Sequence, residues 1–150
     1  MKILLDSNIL TRSVQPSHPM CLTAVNAVTA LRNQNDLLCV APQSLYEFWV
    51  VATRPLGENG IGLTIQQAGA ELARIRAFFE LLPDNATTYS VWEKLVRQHQ
   101  VKGKPAHDAR FAALMITHGV THMLTFNFSD FKRFNQITAI DPHSVAQSNP

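Results

Sequence analysis

The 150-residue chain contains only two cysteines, Cys21 and Cys39, and each lies in an apolar stretch. Buried reduced thiols explain this placement better than a disulfide, because nothing in the sequence indicates an oxidising compartment. The sequence also lacks a run of about 18 apolar residues, so it predicts no membrane-spanning helix. The N-terminal apolar run is broken by Asp6 and is too short for a signal peptide. We therefore expect a cytoplasmic protein that does not associate with membranes.

Charged residues are scarce and almost balanced in sign. They make up 16% of the chain, and thirteen basic against eleven acidic residues give a net charge of +2. So weak a balance gives no sign of nucleic-acid binding by itself, since duplex-binding proteins usually carry a strong basic patch. The hydrophobic fraction of 46% excludes a disordered or collagen-like chain. We expect one domain over residues 1–150, with a frayed tail from about residue 143.

Short apolar segments alternate with longer amphipathic segments along the chain. The segments predicted to be buried strands are residues 2–5, 37–40, 122–126 and 137–140. The predicted helices run from a cap at Ser17 to about Asn33, from Pro42 to about residue 54, from a cap at Thr64 to about residue 80, and over 88–100 and 106–118. Loops or turns are predicted at 55–62 and 83–85. This alternation is typical of a small parallel sheet covered by helices on both faces.

Four acidic residues occupy positions where a site is expected in such a fold. Asp6 directly follows the first strand, Asp130 lies just past the third, and Asp108 is in the first turn of a helix. Glu47 lies in the middle of an apolar helix. Because ligand sites of open α/β sheets form beyond the carboxyl ends of the strands, we expect these carboxylates to share one pocket. Oxygen ligands without a histidine or cysteine cluster indicate Mg²⁺ or Mn²⁺ rather than Zn²⁺.

Each acid also has a purely structural explanation. Asp6 could form a strand-to-loop corner, Asp108 could favour a helix N-terminus through the helix dipole, and Asp130 could cap a helix. Glu47 is the hardest to explain in this way, since a carboxylate in so apolar a helix needs a partner, a metal or a proton. Its structural explanation is a buried ion pair, for which the candidate partners are Arg12, Arg54 and Arg110.

Four short motifs follow one another along the chain. They are DSN after the first strand, a glutamate in an apolar helix ending in ATRP, HDARFAALMITHG, and LTFNFSDF. Together they closely resemble the PIN domain family, above all its branch of VapC-type toxin ribonucleases, over about residues 2–141. The resemblance implies a three-layer α/β/α sandwich with a small parallel sheet and Mg²⁺- or Mn²⁺-dependent endonucleolytic cleavage of RNA. It also implies a homodimer and, in toxin–antitoxin pairs, a cognate antitoxin with a segment that blocks the acidic site.

The resemblance also implies roles for individual residues. The expected catalytic and metal-binding residues are Asp6, Glu47, Asp108 and Asp130. The family often has an acid directly after the third strand, where this chain has Asn127. Asp130 then binds metal through water and Asn127 offers an amide oxygen, and the missing charge leaves catalysis by one ion open beside catalysis by two. Asn8 and Thr125 are expected to orient the carboxylates or a water molecule by hydrogen bonds.

Basic residues flank the expected pocket, and solvated surface charge explains most of them. The strongest candidates for contacts with RNA phosphates are Lys102, Lys104, Arg110 and Arg54. The two lysines belong to a glycine-containing loop just before Asp108, so we expect this loop at the rim of the pocket. The helices 42–54 and 64–80 are more apolar than one small sheet requires, which indicates a protein partner.

We therefore expect a metal-dependent endoribonuclease that acts as the toxin of a type II pair. One alternative is a PIN-like module without catalysis that binds RNA or protein, which Asn127 and the low net charge favour. Another is a PIN nuclease that acts in RNA processing or on flapped DNA. A phosphoaspartyl-transfer enzyme of the haloacid dehalogenase type is disfavoured, because it needs a second aspartate where this chain has Asn8.

Overall fold

In the computed structural model, which describes residues 1–147, five short strands form one parallel sheet. They are β1 (Lys2–Leu5), β2 (Leu37–Val40), β3 (Glu80–Leu81), β4 (His122–Leu124) and β5 (Thr138–Ile140). Their order across the sheet is β3-β2-β1-β4-β5, and every neighbouring pair is parallel. The central strand β1 has the apolar sequence KILL, and three of its four residues are buried. The predicted parallel α/β fold is therefore confirmed.

Helices cover both faces of this sheet. They are α1 (Ser7–Ser13), α2 (Cys21–Asn33), α3 (Pro42–Thr53), α4 (Ile65–Phe78), α5 (Thr88–Gln98), α6 (Ala106–His118) and α7 (Pro142–Gln147). One core forms where α5 and α6 pack on the sheet, and it contains Phe111 and Met123. A second core lies on the opposite face, where Ile9 of α1 and Phe48 of α3 pack beside Leu5 and other apolar side chains of the sheet. The three-layer arrangement follows from these two cores.

Several helix ends agree with the sequence patterns. The Thr64 hydroxyl accepts a hydrogen bond from the Gln67 N–H at 3.1 Å, and the Gln67 side chain accepts one from the Thr64 N–H at 2.9 Å. This reciprocal cap begins α4. At the other end of its helix, Gly119 terminates α6 with a φ of 68°, a left-handed conformation that favours glycine. Both ends were predicted from local residue types alone.

Other local predictions are wrong. Ser17 does not cap α2, which begins at Cys21 without a side-chain cap. Instead, the His18 N–H donates to the Gln15 carbonyl and the Met20 N–H donates to His18 Nδ1, so residues 15–20 form turns. Residues 143–147, predicted as part of a frayed tail, are helical, because α7 reaches Gln147 and packs on α2. Residues 148–150 lie outside the described part of the chain.

Besides α7 and two 3₁₀ turns, α1 and β3 are also missing from the sequence-based prediction. Helix α1 begins directly after Asp6, where the sequence predicts only a turn, and its seven residues are too few to show a clear period. Strand β3 has two residues and takes over where the predicted helix 64–80 ends early, at Phe78.

Within residues 1–147 no helix is long and apolar enough to cross a bilayer. Both cysteines are free thiols, and burial raises the pKa of Cys39 to about 12.

Candidate active site

The candidate site lies where the strand order reverses, beyond the carboxyl ends of the two neighbouring strands β1 and β4. Asp6 is the first residue after β1, and its N–H donates to the Leu124 carbonyl of β4 at 3.1 Å. Thr125 is the first residue after β4 and is fully buried. Open parallel sheets bind ligands at such reversal points, because the loops from the two strands diverge there and leave a crevice.

A cavity of about 630 Å³ opens at this edge of the sheet. The acidic residues that line it are Asp6, Glu47, Asp108 and Asp130. Glu47 comes from α3, Asp108 from the first turn of α6, and Asp130 from a 3₁₀ turn over Phe128–Phe131. The fold thus brings the four predicted carboxylates to one cavity. Across residues 1–147, however, no three His, Cys, Asp or Glu side chains stand close enough to enclose an ion as they are arranged.

Hydrogen bonds fix both oxygens of the Asp6 carboxylate. Asp6 Oδ2 accepts from the Thr125 hydroxyl at 2.7 Å and from Asn8 Nδ2 at 3.3 Å. Asp6 Oδ1 accepts from the Ser7 N–H at 2.7 Å, so Asp6 also caps the N-terminus of α1. The structural explanation of Asp6 is therefore confirmed, and it does not exclude a functional role for the same carboxylate. Because the donors belong to α1 and to the end of β4, the carboxylate is held between two elements.

Burial raises the pKa of Asp6 to about 6, since only 6% of the residue is exposed. The hydrogen bonds from Thr125 and Ser7 oppose this rise, and the negative charges of Glu47 and Asp108 add to it. Negative charge on a buried carboxyl group is unfavourable when other carboxylates lie nearby. Such perturbed groups concentrate at functional sites.

The Glu47 carboxylate is held by neutral donors. Its Oε2 accepts from the Ser7 hydroxyl at 2.8 Å, and its Oε1 accepts from Gln43 Nε2 at 2.9 Å. Among the described residues Glu47 forms no ion pair, so its structural explanation fails for all three candidate partners, Arg12, Arg54 and Arg110. Neither Ser7 nor Gln43 was predicted from the sequence. The spacing of Gln43 one helical turn before Glu47 was the available signal.

Gln43 connects the helix that carries Glu47 to the helix that carries Asp108. Besides Glu47, its Nε2 donates to the His107 carbonyl at 2.9 Å, next to Asp108 in α6. Its Oε1 accepts from Arg110 at 3.4 Å, and the buried amide therefore uses both of its polar atoms. Since Gln43 belongs to α3 and His107 to α6, this single side chain links the helices that carry Glu47 and Asp108 by a hydrogen bond.

Asp108 and Asp130 differ from the other two acids. Burial raises the pKa of Asp108 to about 6, and the negative charges of Asp130 and Glu47 raise it further against the opposing charges of His107 and Arg133. Within the described chain neither carboxylate takes part in a hydrogen bond or an ion pair, so Asp130 does not cap a helix through its side chain. Asp108 does lie in the first turn of α6, where the helix dipole also favours it.

The remaining predicted residues divide into two groups. Asn127 lines the cavity, and its N–H donates to the Thr125 hydroxyl at 3.0 Å. The basic residues that line the cavity are Arg54, Lys104 and Arg133. Lys102 and Arg110 do not line it. Lys102 is exposed on its loop, and the guanidinium of Arg110 turns to Asp84 at 2.8 Å.

The donors at this site fit a hard divalent cation. Carboxylate oxygens are the preferred ligands of Mg²⁺ and Mn²⁺, and the raised pKa values of Asp6 and Asp108 show that negative charge is poorly compensated here. The carboxylate of Asp108 has no hydrogen-bond partner in residues 1–147, so its oxygens remain available to a ligand. A cation that entered the cavity would offset this concentration of charge.

The chain belongs to the PIN domain family, whose model matches residues 3–136. Solved structures with the same fold include VapBC2 from Rickettsia felis bound to a promoter DNA fragment, at 17% identity and a TM-score of 0.69, covering 93% of this chain and 98% of that one. VapC20 from Mycobacterium tuberculosis, a sarcin–ricin loop cleaving toxin, matches at 20% identity and a TM-score of 0.59, covering 85% and 92%. FitAcB from Neisseria gonorrhoeae matches at 16% and 0.68, covering 95% and 98%. No curated protein sequence matches this chain.

Proposed function

We propose that this PIN domain is a metal-dependent endoribonuclease and the toxin of a type II toxin–antitoxin pair. The observation that carries the proposal is the convergence of four carboxylates on one cavity at the reversal point of a PIN sheet. The similarity to a toxin described as cleaving the sarcin–ricin loop supports RNA as the substrate class. The similarity to several VapBC complexes supports a cognate antitoxin.

In this proposal Asp6, Glu47 and Asp108 hold Mg²⁺ or Mn²⁺, with Asp130 bound through water and Asn127 beside it. The ion, when bound, supplies Lewis-acid stabilisation of the phosphodiester and lowers the pKa of water. The chain's own residues fix the geometry. Thr125 and Asn8 orient the Asp6 carboxylate, while Ser7 and Gln43 orient Glu47. Asp108, without a partner among residues 1–147, keeps both oxygens for a ligand.

The cations of the cavity wall complete the proposed substrate site. Arg54, Lys104 and Arg133 line the same cavity as the acids, which supports the proposal that they contact RNA phosphates on either side of the scissile bond. Lys102 and Arg110 lie outside the cavity lining and would contact the RNA strand only farther along its length.

Replacing Thr125 by valine is expected to weaken Mn²⁺ binding and cleavage by about 10- to 100-fold. Valine keeps the shape of the buried side chain but removes the hydroxyl that donates to Asp6 at 2.7 Å and accepts from the Asn127 N–H at 3.0 Å. Calorimetric titration with Mn²⁺ measures the affinity. Thr53→Val is the matched control, because the Thr53 hydroxyl bonds only the Trp49 carbonyl within its own helix. Equal Mn²⁺ affinities for the two variants would contradict the proposed role of Thr125.

Cleavage of a mixed pool of cellular RNA tests the proposed activity. The purified chain is expected to make discrete fragments with Mn²⁺ or Mg²⁺ and none with EDTA. Fragments that persist in EDTA would contradict metal dependence. If the pool contains no target, calorimetry with Mn²⁺ decides between a narrow substrate range, shown by metal binding, and an acid cluster that is not a metal site.

A PIN-like module without catalysis is the second candidate. It is favoured by Asn127, which lines the cavity where the family often has an acid, and by the open arrangement of the carboxylates within residues 1–147. This candidate predicts RNA or protein binding that is independent of metal. It also predicts no cleavage products above the EDTA background.

We also propose a homodimer and a cognate antitoxin, acting in the cytoplasm. Large apolar side chains on the helix surfaces support a protein partner; Tyr46 and Val50 of α3 are 64% and 56% exposed, and Ile65 and Phe78 of α4 are 65% and 55% exposed. Expression of the chain alone is expected to arrest growth, and co-expression of a neighbouring small reading frame to restore it. Growth without arrest would favour a PIN nuclease of RNA processing instead. The mass in solution tests the dimer.

A further inference from the structure

The segment after α3 folds back tightly on the helix that it leaves. We call residues 55–62 the hook. The Ile61 N–H donates to the Val51 carbonyl at 2.9 Å, and the Gly62 N–H donates to the Arg54 carbonyl at 2.9 Å. These bonds return the chain to the last turn of α3, the helix that carries Glu47. Backbone hydrogen bonds therefore fix the hook against α3, although the sequence predicts only a loop there.

Arg54 directly precedes the hook and is bonded to it. Its Nη2 donates to the Asn59 carbonyl at 2.9 Å, and Asn59 adopts a left-handed conformation with a φ of 62°. At Gly60 an added Cβ would stand 1.8 Å from the Arg54 carbonyl oxygen, so a larger residue cannot fit without moving the backbone. Asn59 and Gly60 thus help to fix Arg54, Asn59 by accepting its hydrogen bond and Gly60 by leaving room for its carbonyl group.

The charge of Arg54 is not used within the described chain. Its guanidinium forms no ion pair with a described acid, and its Nε is buried without a hydrogen-bond partner. Arg54 nevertheless lines the carboxylate cavity. A buried donor without an acceptor costs free energy, so contacts within the described chain do not saturate this guanidinium.

We infer that the hook holds Arg54 as an anchor for one backbone phosphate of a single-stranded RNA, next to the phosphate at the carboxylates. This inference rests on the proposed function and deepens it: it assigns one of the proposed phosphate contacts to Arg54 and gives the hook the role of holding that residue. A phosphate fits because its oxygens accept several charge-assisted hydrogen bonds from one guanidinium, which a lysine cannot offer in the same geometry. The contact reads the backbone, so it is independent of base sequence.

Binding of a short labelled single-stranded RNA in EDTA tests the inference, with the affinity measured by fluorescence anisotropy over a series of NaCl concentrations. Arg54→Gln is expected to weaken binding about tenfold and to lower the slope of log affinity against log salt by about 0.7, as expected for one lost phosphate contact. Two RNAs of unrelated sequence should lose affinity equally. Arg76→Gln is the control for charge, because Arg76 is exposed on α4 and lines none of the three cavities described for residues 1–147.

Gly60→Ala tests the hook itself, because it keeps the charge of Arg54 but displaces its backbone. It is expected to weaken RNA binding, whereas Gly57→Ala in the same segment has open space around its new methyl group and should bind like the parent. Parent-like binding by Gly60→Ala overturns the role of the hook. If Gly60→Ala does not fold, Arg54→Gln decides, and its overturning result is an affinity and slope equal to those of Arg76→Gln. A parent chain that neither binds nor cleaves RNA overturns the proposed function as well.

Discussion

Replacing Asp6 by asparagine is expected to lower the rate of RNA cleavage about a thousandfold, which corresponds to the several kcal/mol that a well-held metal ion supplies. The change removes one negative charge from the cavity and leaves the size of the side chain unchanged. The amide oxygen can still accept from the Ser7 N–H, so the cap of α1 is retained. Single-turnover cleavage with saturating Mn²⁺ measures the effect on the chemical step.

The matched control for Asp6→Asn is Glu93→Gln. It removes the same charge from α5, where Glu93 pairs with Arg97 at 3.0 Å on the surface. Its cleavage rate should equal that of the parent. A parent-like rate for Asp6→Asn, with Mn²⁺ affinity unchanged, would contradict the assignment of Asp6 as a metal ligand. The proposed metal site would then depend mainly on Asp108.

The metal-free protein is expected to lose stability as the pH rises from about 4 to about 6. The pKa of Asp6 is raised from 3.8 to about 6 in the folded protein, so the native state binds more protons than the unfolded state in this interval. The stability present below pH 4 is therefore lost as the pH passes through the folded-state pKa. Asp6 alone accounts for about 3 kcal/mol of unfolding free energy. Asp108 has a shift in the same direction but is only half-buried, so it contributes less.

Urea unfolding in EDTA at a series of pH values measures this loss. In Asp6→Asn the fall between pH 4 and 6 should be much smaller, because the buried group no longer titrates. Mg²⁺ or Mn²⁺ added above pH 6 should restore stability to the parent, since an ion that binds only the folded state raises its unfolding free energy. An equal fall in parent and variant would contradict the burial of Asp6 as its cause.

Local signals were sufficient for the main elements and for the acids. The strands KILL and LLCV are apolar and short, and Pro42, Thr64 and Gly119 mark helix ends by their own chemistry. The sequence alone makes Asp6 a candidate by its position after a strand, and Glu47 a candidate by its position in an apolar helix. Their convergence on one cavity then follows because β1 and β2 are parallel, so that Asp6 and the start of α3 lie at the same edge of the sheet.

The rest depends on contacts between distant parts of the chain. Nothing local distinguishes Arg110, which turns to Asp84, from Arg133, which lines the cavity. Strand β3 exists because Glu80 and Leu81 pair with β2, and α7 exists because it packs on α2. Asp141 starts that last helix by accepting from the His143 N–H at 2.9 Å. The polar residues that follow Asp141 do not by themselves indicate a helix, because the surface of α2 on which α7 packs is not visible in the local sequence.

The fold holds the two sides of the site unequally. The Asp6 N–H is bonded across the two central strands to Leu124, so its exchange with solvent requires the sheet itself to open. The Asp130 N–H is bonded to the Asn127 carbonyl within a 3₁₀ turn, in which residues 128–130 are exposed and Phe131 is buried in the core. The Asp6 carboxylate is therefore held before any ligand enters, whereas no hydrogen bond within residues 1–147 fixes the Asp130 side chain, which a ligand would have to order. The entropy of ordering that side chain would then limit the affinity at the outer side of the cavity, and shortening or stiffening the turn would change affinity there without any change of ligand.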